Sequence, residues 1–243
     1  SNGTVRNLKM SLDDRRLLQR MEPLDLIEKG FVSQRRVTAS ADHRKILRKT
    51  WNLLSSDQME AMKVAQEPET VRERYGNTNF GRGCLMARRL VEAGVPCVEV
   101  GLGGWDNHSN IFATLENNKL PELDRGMSAL VEDLEQRGLL EDTAIIWMGE
   151  FSRTPRINGN TGRDHFARAW SVVVGGAGIQ GGTAVGATSD DGTEVVTDPY
   201  TSQDVMASVV KALGIPLETT FTTPTGRPMK IANGGKVIEE LFA

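Results

Sequence analysis

The sequence of 243 residues is poor in cysteine, aromatic residues and histidine, with two cysteines, 5% aromatics and three histidines. Cys84 and Cys97 match neither a Cys-x-x-Cys nor a zinc-ribbon spacing, so no cysteine-based metal motif is present. Two buried free thiols, one in a helix and one in a strand, are the favoured interpretation, and a disulfide is the alternative. The cysteines therefore indicate little about function.

Long apolar runs and a strong net charge are also absent. The apolar runs have the length of strands, whereas a membrane-spanning helix needs roughly 20 apolar residues, so we expect no membrane span. A formal net charge of -3 does not indicate a nucleic-acid-binding protein. The chain begins with Ser1 and shows no recognisable secretory signal, so we expect a processed product or part of a longer protein. The localisation does not follow from these residues.

The length allows one α/β domain with a substantial core and a helical appendage. Helical patterns are predicted over residues 11–29, 33–51 and 56–65. We therefore predict a helical region at residues 1–77, either part of the main domain or appended to it. The α/β domain is predicted at residues 78–243.

Helices and strands alternate in the predicted α/β domain. Apolar residues recur at helical spacing over 80–93 and 120–137, each helix ends at a glycine, and an apolar strand follows at 97–102 and 144–148. This alternation predicts a mostly parallel central sheet flanked by helices. Later predicted elements are a strand at 171–174, glycine-rich turns at 175–182, a helix at 202–213, a strand at 228–231 and a helix at 237–241.

Acidic and histidine side chains lie beside the ends of three predicted strands, where open α/β sheets bind ligands. Asp106 and His108 follow the first strand, and Glu150 follows the second. Asp164 and His165 precede the third. A carboxylate oxygen beside an imidazole nitrogen suits zinc or manganese. These positions are therefore candidate ligands of a divalent metal.

Plainer interpretations exist for each position. Asp and Asn are ordinary turn residues, and a solvated Glu150 at a strand end is common. However, two of the three histidines lie in strand-end loops beside acids, while His43 is expected to be solvated. That concentration favours a metal site over chance.

Arginines surround these acids in the sequence, and guanidinium groups bind phosphate or sulfate oxygens through paired hydrogen bonds. The candidates for substrate binding are Arg153, Arg156, Arg163 and Arg168. The alternative is that they neutralise Glu150 and Asp164 as structural ion pairs. No nucleophile is evident, because no Gly-x-Ser-x-Gly motif occurs and the loop hydroxyls are unremarkable. Those hydroxyls belong to Ser109, Ser152, Thr154 and Thr161.

Several ordered segments resemble domain of unknown function family 1501. They are residues 71–76, 87–94, 103–108, 148–155 and 162–165. That family of exported bacterial proteins is grouped with the alkaline phosphatase and sulfatase superfamily. The resemblance spans nearly the whole chain. It implies an alkaline phosphatase-like fold and an exported or periplasmic location.

The resemblance also implies a metal-dependent hydrolase. In the superfamily, two metal ions lie at the carboxyl edge of a parallel sheet beside a Ser, Thr or modified Cys nucleophile. Asp106 and His108 would then form one ligand loop, Glu150 another ligand segment, and His165 a later ligand. Asp164 would be a ligand or the partner of the His165 ring. The implied metal is zinc, or manganese, calcium or magnesium, and the implied substrate is an anionic small-molecule or polysaccharide ester of phosphate or sulfate.

Full-length members of the family begin with a strand and loop that carry further ligands and the nucleophile region. We therefore expect this chain to be the carboxyl-terminal part, with half of a bimetallic site. An incomplete sheet would leave an edge or an apolar face exposed, which favours self-association. The alternative functions are a non-catalytic binding or surface module with a partial metal site, and a structural fragment held by ion pairs.

Overall fold

A computed structural model describes residues 56–242 of the protein and six isolated positions before them. Those positions are Arg16, Gln19, Pro23, Lys45, Ile46 and Lys49. Apart from these six positions, the helices predicted at 11–29 and 33–51 lie outside the described residues. His43 also lies outside them.

The chain divides into two compact units. The first contains Ser1–Arg72 and Leu85–Glu99, and the second contains Glu73–Cys84 and Val100–Ala243. The boundary predicted after residue 77 falls within Glu73–Cys84 and stays a prediction. All of the strand-end candidates lie in the second unit.

Three helices precede the candidate loops: α1 (Asp57–Ala61), α2 (Glu69–Tyr75) and α3 (Asn79–Glu92). The helix predicted at 56–65 is shorter, since α1 ends at Ala61 and only a 3-10 turn, Val64–Gln66, follows. The helix predicted at 80–93 is confirmed by α3.

The interior of the first unit includes charged residues. Ala61 and Leu85 are buried, and Arg88 is 1% exposed. Nη2 of Arg88 lies 2.9 Å from Oε1 of Glu67, and the guanidinium of Arg89 pairs with the same oxygen. A buried charge is costly without such a partner, so these ion pairs allow Arg88 to lie in the interior.

A long helix follows the first candidate loop in the second unit. Helix α4 (Ile111–Thr114) continues through a π-helical turn, Leu115–Lys119, into α5 (Leu120–Gln136). The helix predicted at 120–137 is therefore confirmed. Its buried residues recur at helical spacing and form one face against the core. They are Leu123, Gly126, Ala129, Asp133 and Leu134.

Two predicted helix ends are confirmed by the backbone. Gly94 follows α3 with φ +78°, and Gly138 follows α5 with φ +67°. In both cases the next residue's N–H bonds back to a carbonyl five positions earlier, from Val95 to Leu90 at 2.9 Å and from Leu139 to Leu134 at 2.8 Å. Glycine adopts this left-handed conformation without a Cβ clash, so each helix stops there.

The described strands form four two-stranded antiparallel sheets. The pairs are β1 (Ile145–Trp147) with β4 (Val173–Gly175), β2 (Ser152–Arg153) with β3 (His165–Phe166), β5 (Ala187–Thr188) with β6 (Val195–Thr197), and β7 (Thr220–Thr222) with β8 (Pro228–Lys230). No parallel pair occurs among the described strands. The alkaline phosphatase-like α/β fold with a mostly parallel sheet stays a prediction.

Individual strand predictions have different outcomes. Those at 144–148, 171–174 and 228–231 correspond to β1, β4 and β8. The predicted strand at 97–102 is in none of the four described sheets. An apolar run favours a strand, but a strand also needs a neighbour to complete its hydrogen bonds, and sequence periodicity does not identify that neighbour.

The carboxyl-terminal part packs around α6 (Ser202–Ala212), which confirms the helix predicted at 202–213. Thr201 and Asp204 form a capping box at its start. Oδ1 of Asp204 also accepts a 2.7 Å hydrogen bond from the N–H of Lys236, and Oγ of Ser208 accepts one of 2.9 Å from Ile238. Where a helix is predicted at 237–241, only a 3-10 turn, Glu239–Leu241, forms.

Both cysteines are free, but only Cys84 is buried. The prediction of a second buried thiol is wrong, because Cys97 is exposed. Burial raises the pKa of the Cys84 thiol to about 12, so this group stays protonated at neutral pH.

Within the described part of the chain, no helix combines the length and apolar character needed to cross a bilayer. This finding agrees with the expectation of no membrane span.

Candidate metal centre

Three side chains with ligand atoms converge in the second unit. Nε2 of His165 lies 2.9 Å from Oδ1 of Asp106, although the two residues are 59 positions apart. Nε2 of His108 lies 3.2 Å from the same oxygen. The potential ligand atoms of all three residues lie within 4.8 Å of one another. Two of the three strand-end motifs thus form one cluster, here named the DHH cluster: Asp106, His108 and His165.

The two loops that carry this cluster are joined through their backbones. Three hydrogen bonds link them, from Arg163 to Asn107 at 3.0 Å, from Asn110 to Asn160 at 3.2 Å and from Ile111 to Thr161 at 2.9 Å. A Cβ atom at Gly162 would lie 2.1 Å from the carbonyl carbon of His108. The absence of a side chain at Gly162 therefore allows the loops to approach closely enough for the cluster to form.

Short antiparallel pairing positions the second loop. Strand β2 pairs with β3 so that Arg153 is directly opposite His165. The N–H of Thr154 also donates to the carbonyl of Asp164 at 2.8 Å. This register places the side chains of Arg153 and His165 on one side of the pair, facing Asp106.

Asp164 holds the ring of His108. Nδ1 of His108 lies 2.9 Å from Oδ1 of Asp164. The resemblance had suggested Asp164 as a partner of the His165 ring, but successive side chains entering a strand point to opposite faces. The carboxylate of Asp164 therefore contacts the other histidine, His108. Bonding through Nδ1 leaves Nε2 of His108 available as a ligand atom.

Arg153 connects the cluster to Glu150. Its Nη2 atom lies 3.0 Å from Oδ1 of Asp106 and 3.0 Å from Oε1 of Glu150. The guanidinium lies 5.2 Å from the centre of the Phe151 ring. The centres of the Phe151 and His165 rings are 5.0 Å apart, and the ring planes are inclined by 61°. Glu150 thus contacts Arg153 and is not among the three converging ligands.

Hydrogen bonds keep the carboxylates of the site ionised. The bond from His165 lowers the pKa of Asp106, and His108 and Arg153 lower it further. The bond from His108, followed by one from Asn158, lowers the pKa of Asp164. The pKa of Glu150 is lowered by a hydrogen bond from its own backbone N–H and by Arg153.

Among the residues that the structure describes, the site has more negative than positive charge. Three carboxylates, those of Asp106, Glu150 and Asp164, share direct contacts with a single guanidinium and two imidazoles. With neutral imidazoles, two negative charges remain unbalanced. A divalent cation would neutralise this excess.

The hydrogen-bond pattern at His108 also favours a cation. A neutral ring that donates from Nδ1 to Asp164 presents the lone pair of Nε2 to an Asp106 oxygen only 3.2 Å away. Two acceptors at this distance repel unless a proton or a metal ion lies with them. Accordingly the hydrogen bond to Asp164 and the charge of Asp106 raise the pKa of His108.

The spacing and type of the donor atoms fit a metal ion. One oxygen and two nitrogen donors suit zinc or manganese better than calcium or magnesium, which prefer oxygen ligands. Donors bound at 2.0–2.2 Å in tetrahedral or octahedral geometry lie about 3–3.5 Å apart. The observed separations from Asp106, 2.9 and 3.2 Å, are close to that range. Each of the three side chains is also about half exposed, which leaves room for further ligands.

The remaining predicted arginines are not part of the DHH cluster. The guanidinium of Arg163 donates to the carbonyls of Thr154 and Pro155, so it braces its own loop. Arg156 and Arg168 are exposed, and within the described residues neither side chain makes a hydrogen bond or ion pair. Of the four arginines, only Arg153 contacts the cluster directly.

No hydroxyl of the described residues hydrogen-bonds to the DHH cluster. The hydroxyl of Thr154 donates to the carbonyl of Arg156 at 2.9 Å and accepts from the N–H of Asp164 at 3.1 Å. The hydroxyl of Ser152 lies 3.4 Å from the carbonyl of Arg153. These groups bond to the backbone, so neither is placed as a nucleophile.

Sequence reasoning missed Asn158. Its Nδ2 lies 3.1 Å from Oδ1 of Asp164 and 3.1 Å from the carbonyl oxygen of His108. Its Oδ1 accepts hydrogen bonds from the N–H groups of Asn160 and Gly162, at 2.9 and 3.0 Å. An Asn-Gly-Asn segment indicates a turn in which the first side chain bonds to the backbone two residues on. The turn was recognisable, but the contact with Asp164 was not.

Comparison with known families identifies the chain. A family model described as Protein of unknown function (DUF1501) matches residues 2–242, essentially the whole chain. The protein therefore belongs to this family, and the family assignment drawn from the sequence is confirmed. No curated protein and no solved structure matches the chain. The description of the family names no activity, so a functional proposal depends on the site.

Proposed function

We propose that this protein is a metal-dependent hydrolase-like domain that acts on a phosphate or sulfate ester. The observation that carries the proposal is the convergence of the DHH cluster, whose ligand atoms lie within 4.8 Å of one another. The mixed nitrogen and oxygen donors favour zinc, followed by manganese, with calcium and magnesium as weaker candidates.

Each residue of the site has a definite part in this proposal. Asp106, His108 and His165 hold the metal, and Asp164 orients the His108 ring. When bound, the metal polarises an ester oxygen and activates the attacking group. Arg153, 3.0 Å from Asp106, is the cation placed to bind a phosphate or sulfate oxygen beside the metal. Glu150 keeps that guanidinium in place.

The proposal extends to the superfamily, the location, the substrate and the self-association of the protein. An Asp-x-His, a strand-end Glu and an Asp-His pair support a grouping with the alkaline phosphatase and sulfatase superfamily, with an exported or periplasmic location. An anionic small molecule or a polysaccharide carrying phosphate or sulfate groups is the substrate proposed. Self-association through the exposed Trp147 and Val173 of β1 and β4, 43% and 48% exposed, is part of this proposal.

A second function is a non-catalytic binding module that keeps the metal. The observation that favours it is that the hydroxyls of Ser152 and Thr154 bond to the backbone and not to the DHH cluster. In such a module, the metal and Arg153 would bind an anionic group without cleaving it. Both functions require metal binding. A measurement of ester hydrolysis distinguishes the hydrolase from the binding module.

Metal binding is tested first. Protein stripped with a chelator is dialysed against zinc or manganese, and the bound metal is counted by elemental analysis. We expect one ion per chain in the wild type, and a large loss in the Asp106→Asn and His165→Ala variants. Asp124→Asn, an exposed acid on α5, is the matched control and should bind like the wild type. Stoichiometric binding that survives both cluster substitutions would overturn the proposed site.

Hydrolysis is tested next with aryl phosphate and aryl sulfate substrates. Activity that requires added metal and is lost in the His108→Ala and His165→Ala variants supports the hydrolase. Metal binding without turnover of either ester, together with metal-dependent binding of phosphate or sulfate, supports the binding module. Turnover that is unchanged in both histidine variants contradicts the proposed roles.

A further inference from the structure

We infer that Asn158 is the positioning residue of the metal centre: it holds Asp164 on Nδ1 of His108 and so directs Nε2 of His108 toward Asp106 and His165. The inference rests on the proposed metal site. It adds a residue that binds no metal itself and belongs to none of the strand-end motifs.

The hydrogen bonds of Asn158 leave no alternative orientation of its amide. Both partners of Oδ1, at Asn160 and Gly162, are backbone N–H groups, which only donate. Both partners of Nδ2 are oxygens, one from Asp164 and one from His108. If the amide were reversed, its NH2 group would face the two backbone N–H groups, and its oxygen would face the oxygens of Asp164 and His108. All four hydrogen-bonding positions of the side chain are therefore used in one geometry.

Asn158 joins the two halves of the site. One N–H of its amide bonds to the backbone of the His108 loop, and the other bonds to the carboxylate that contacts the ring of the same histidine. Oδ1 of Asp164 thus accepts from both Asn158 and His108, at 3.1 and 2.9 Å. The amide of Asn158 thus holds both the backbone of His108 and the carboxylate of Asp164. Because both are held, the His108 ring cannot rotate about its side-chain bonds without losing its hydrogen bond to Asp164.

The key substitution is Asn158→Asp, which keeps the size and the oxygen that faces Asn160 and Gly162. It replaces the amide nitrogen by an oxygen facing Asp164 and the carbonyl of His108, so attraction becomes repulsion. Asn158→Ala removes the contacts without adding repulsion. Asn160→Asp, in the same loop, makes the same charge change at an exposed side chain and is the matched control.

Zinc affinity is measured by competition with a chelating dye. We expect Asn158→Asp to weaken zinc binding by about 10–100-fold and Asn158→Ala by less, the range found when partners of metal-binding histidines are removed. Asn160→Asp should match the wild type. In an Asp164→Ala background, most of the effect of Asn158→Ala should disappear, because Asn158 acts through Asp164. Equal losses with and without Asp164 would overturn the inference, since they indicate a general structural role.

A second measurement does not depend on metal. In metal-free protein at a pH where the imidazoles are neutral, ¹⁵N NMR reports which ring nitrogen of His108 carries the proton. We expect the proton on Nδ1 in the wild type and a mixture in Asn158→Asp. An unchanged proton position in Asn158→Asp overturns the inference. A changed position in a protein that binds no zinc would refute the proposed function alone and leave the positioning of His108 by Asn158 intact.

Discussion

Nδ1 of His108 lies 2.9 Å from Oδ1 of Asp164, 56 residues later in the chain. This contact joins the two histidine-containing loops of the site and determines which nitrogen of His108 is available to a metal. Asp164 therefore contacts the candidate site without belonging to its three converging residues, Asp106, His108 and His165.

Asp164→Asn should weaken zinc binding by about 10-fold or more, because the neutral amide no longer stabilises the His108 ring in the required orientation. The dissociation constant is measured by competition with a chelating dye at neutral pH. Asp124→Asn serves as the control because its side chain is exposed on α5. Equal zinc affinity in Asp164→Asn and the wild type would show that the contact does not support the site.

Gly162→Ala should separate the two loops, since its Cβ would meet the carbonyl carbon of His108 at 2.1 Å. We expect a destabilisation of about 1–3 kcal/mol and a clear loss of zinc affinity. Gly159→Ala is a close control, because nothing lies within 4 Å of a Cβ there. Urea unfolding and zinc titration of both variants test the prediction, and similar behaviour of the two would contradict it.

Tyr75→Phe should destabilise the second unit by about 1–3 kcal/mol. The Tyr75 hydroxyl donates a 2.9 Å hydrogen bond to Oδ2 of the buried Asp133, and its removal takes away one of the donors of that carboxylate. Tyr200→Phe removes the same atom from an exposed pair with Glu240, so it should change the unfolding free energy little. A similar cost for both substitutions would mean that burial of the first pair is unimportant.

Glu67→Gln should destabilise the first unit by about 1–3 kcal/mol at neutral pH, because the buried Arg88 loses one of its two charged partners and keeps only Glu92. Burial alone would raise the pKa of Glu67, but hydrogen bonds from Arg89 and Arg88 outweigh it and hold the pKa below its ordinary value of 4.5. A folded-state pKa below the unfolded value means that ionised Glu67 contributes stability above the unfolded pKa.

That contribution is lost as the pH falls through the folded-state pKa of Glu67. The difference in unfolding free energy between wild type and Glu67→Gln should therefore shrink in acid. Urea unfolding at a series of pH values from neutral to about 3 measures it. Glu73→Gln is the control at neutral pH, where it should change the unfolding free energy little, because the carboxylate of Glu73 is exposed and makes no ion pair in the described residues. A constant difference for Glu67→Gln across this range would contradict the assigned ion pair.

Local sequence patterns predicted helices α3, α5 and α6. Apolar residues at helical spacing followed by Gly94 and Gly138 indicated α3 and α5, because both the periodicity and the left-handed stop depend on neighbouring residues. Asp106, His108 and His165 were candidates because two of the three histidines lie beside acids at the ends of predicted strands. The family was recognised from the order of these motifs.

Partners distant in the chain were not predictable in the same way. Asp164 was expected to be a metal ligand or the partner of the His165 ring, and its carboxylate contacts the ring of His108. Arg153 meets Asp106 because β2 and β3 pair in one register, with Arg153 opposite His165. A shift of that register by one residue would place Arg153 and His165 on opposite faces of the strand pair.

The amino-acid sequence by itself determined helices α3, α5 and α6, the glycine stops of α3 and α5, the family and the residue types able to bind a divalent metal, because these depend on local spacing and side-chain chemistry. Only the tertiary structure decided which of those residues meet. It selected Asp106, His108 and His165 as the converging set, placed Glu150 on Arg153, and revealed Asn158. The reason is that a metal site requires atoms within a few ångströms, and backbone pairing between loops fifty or more residues apart sets those distances.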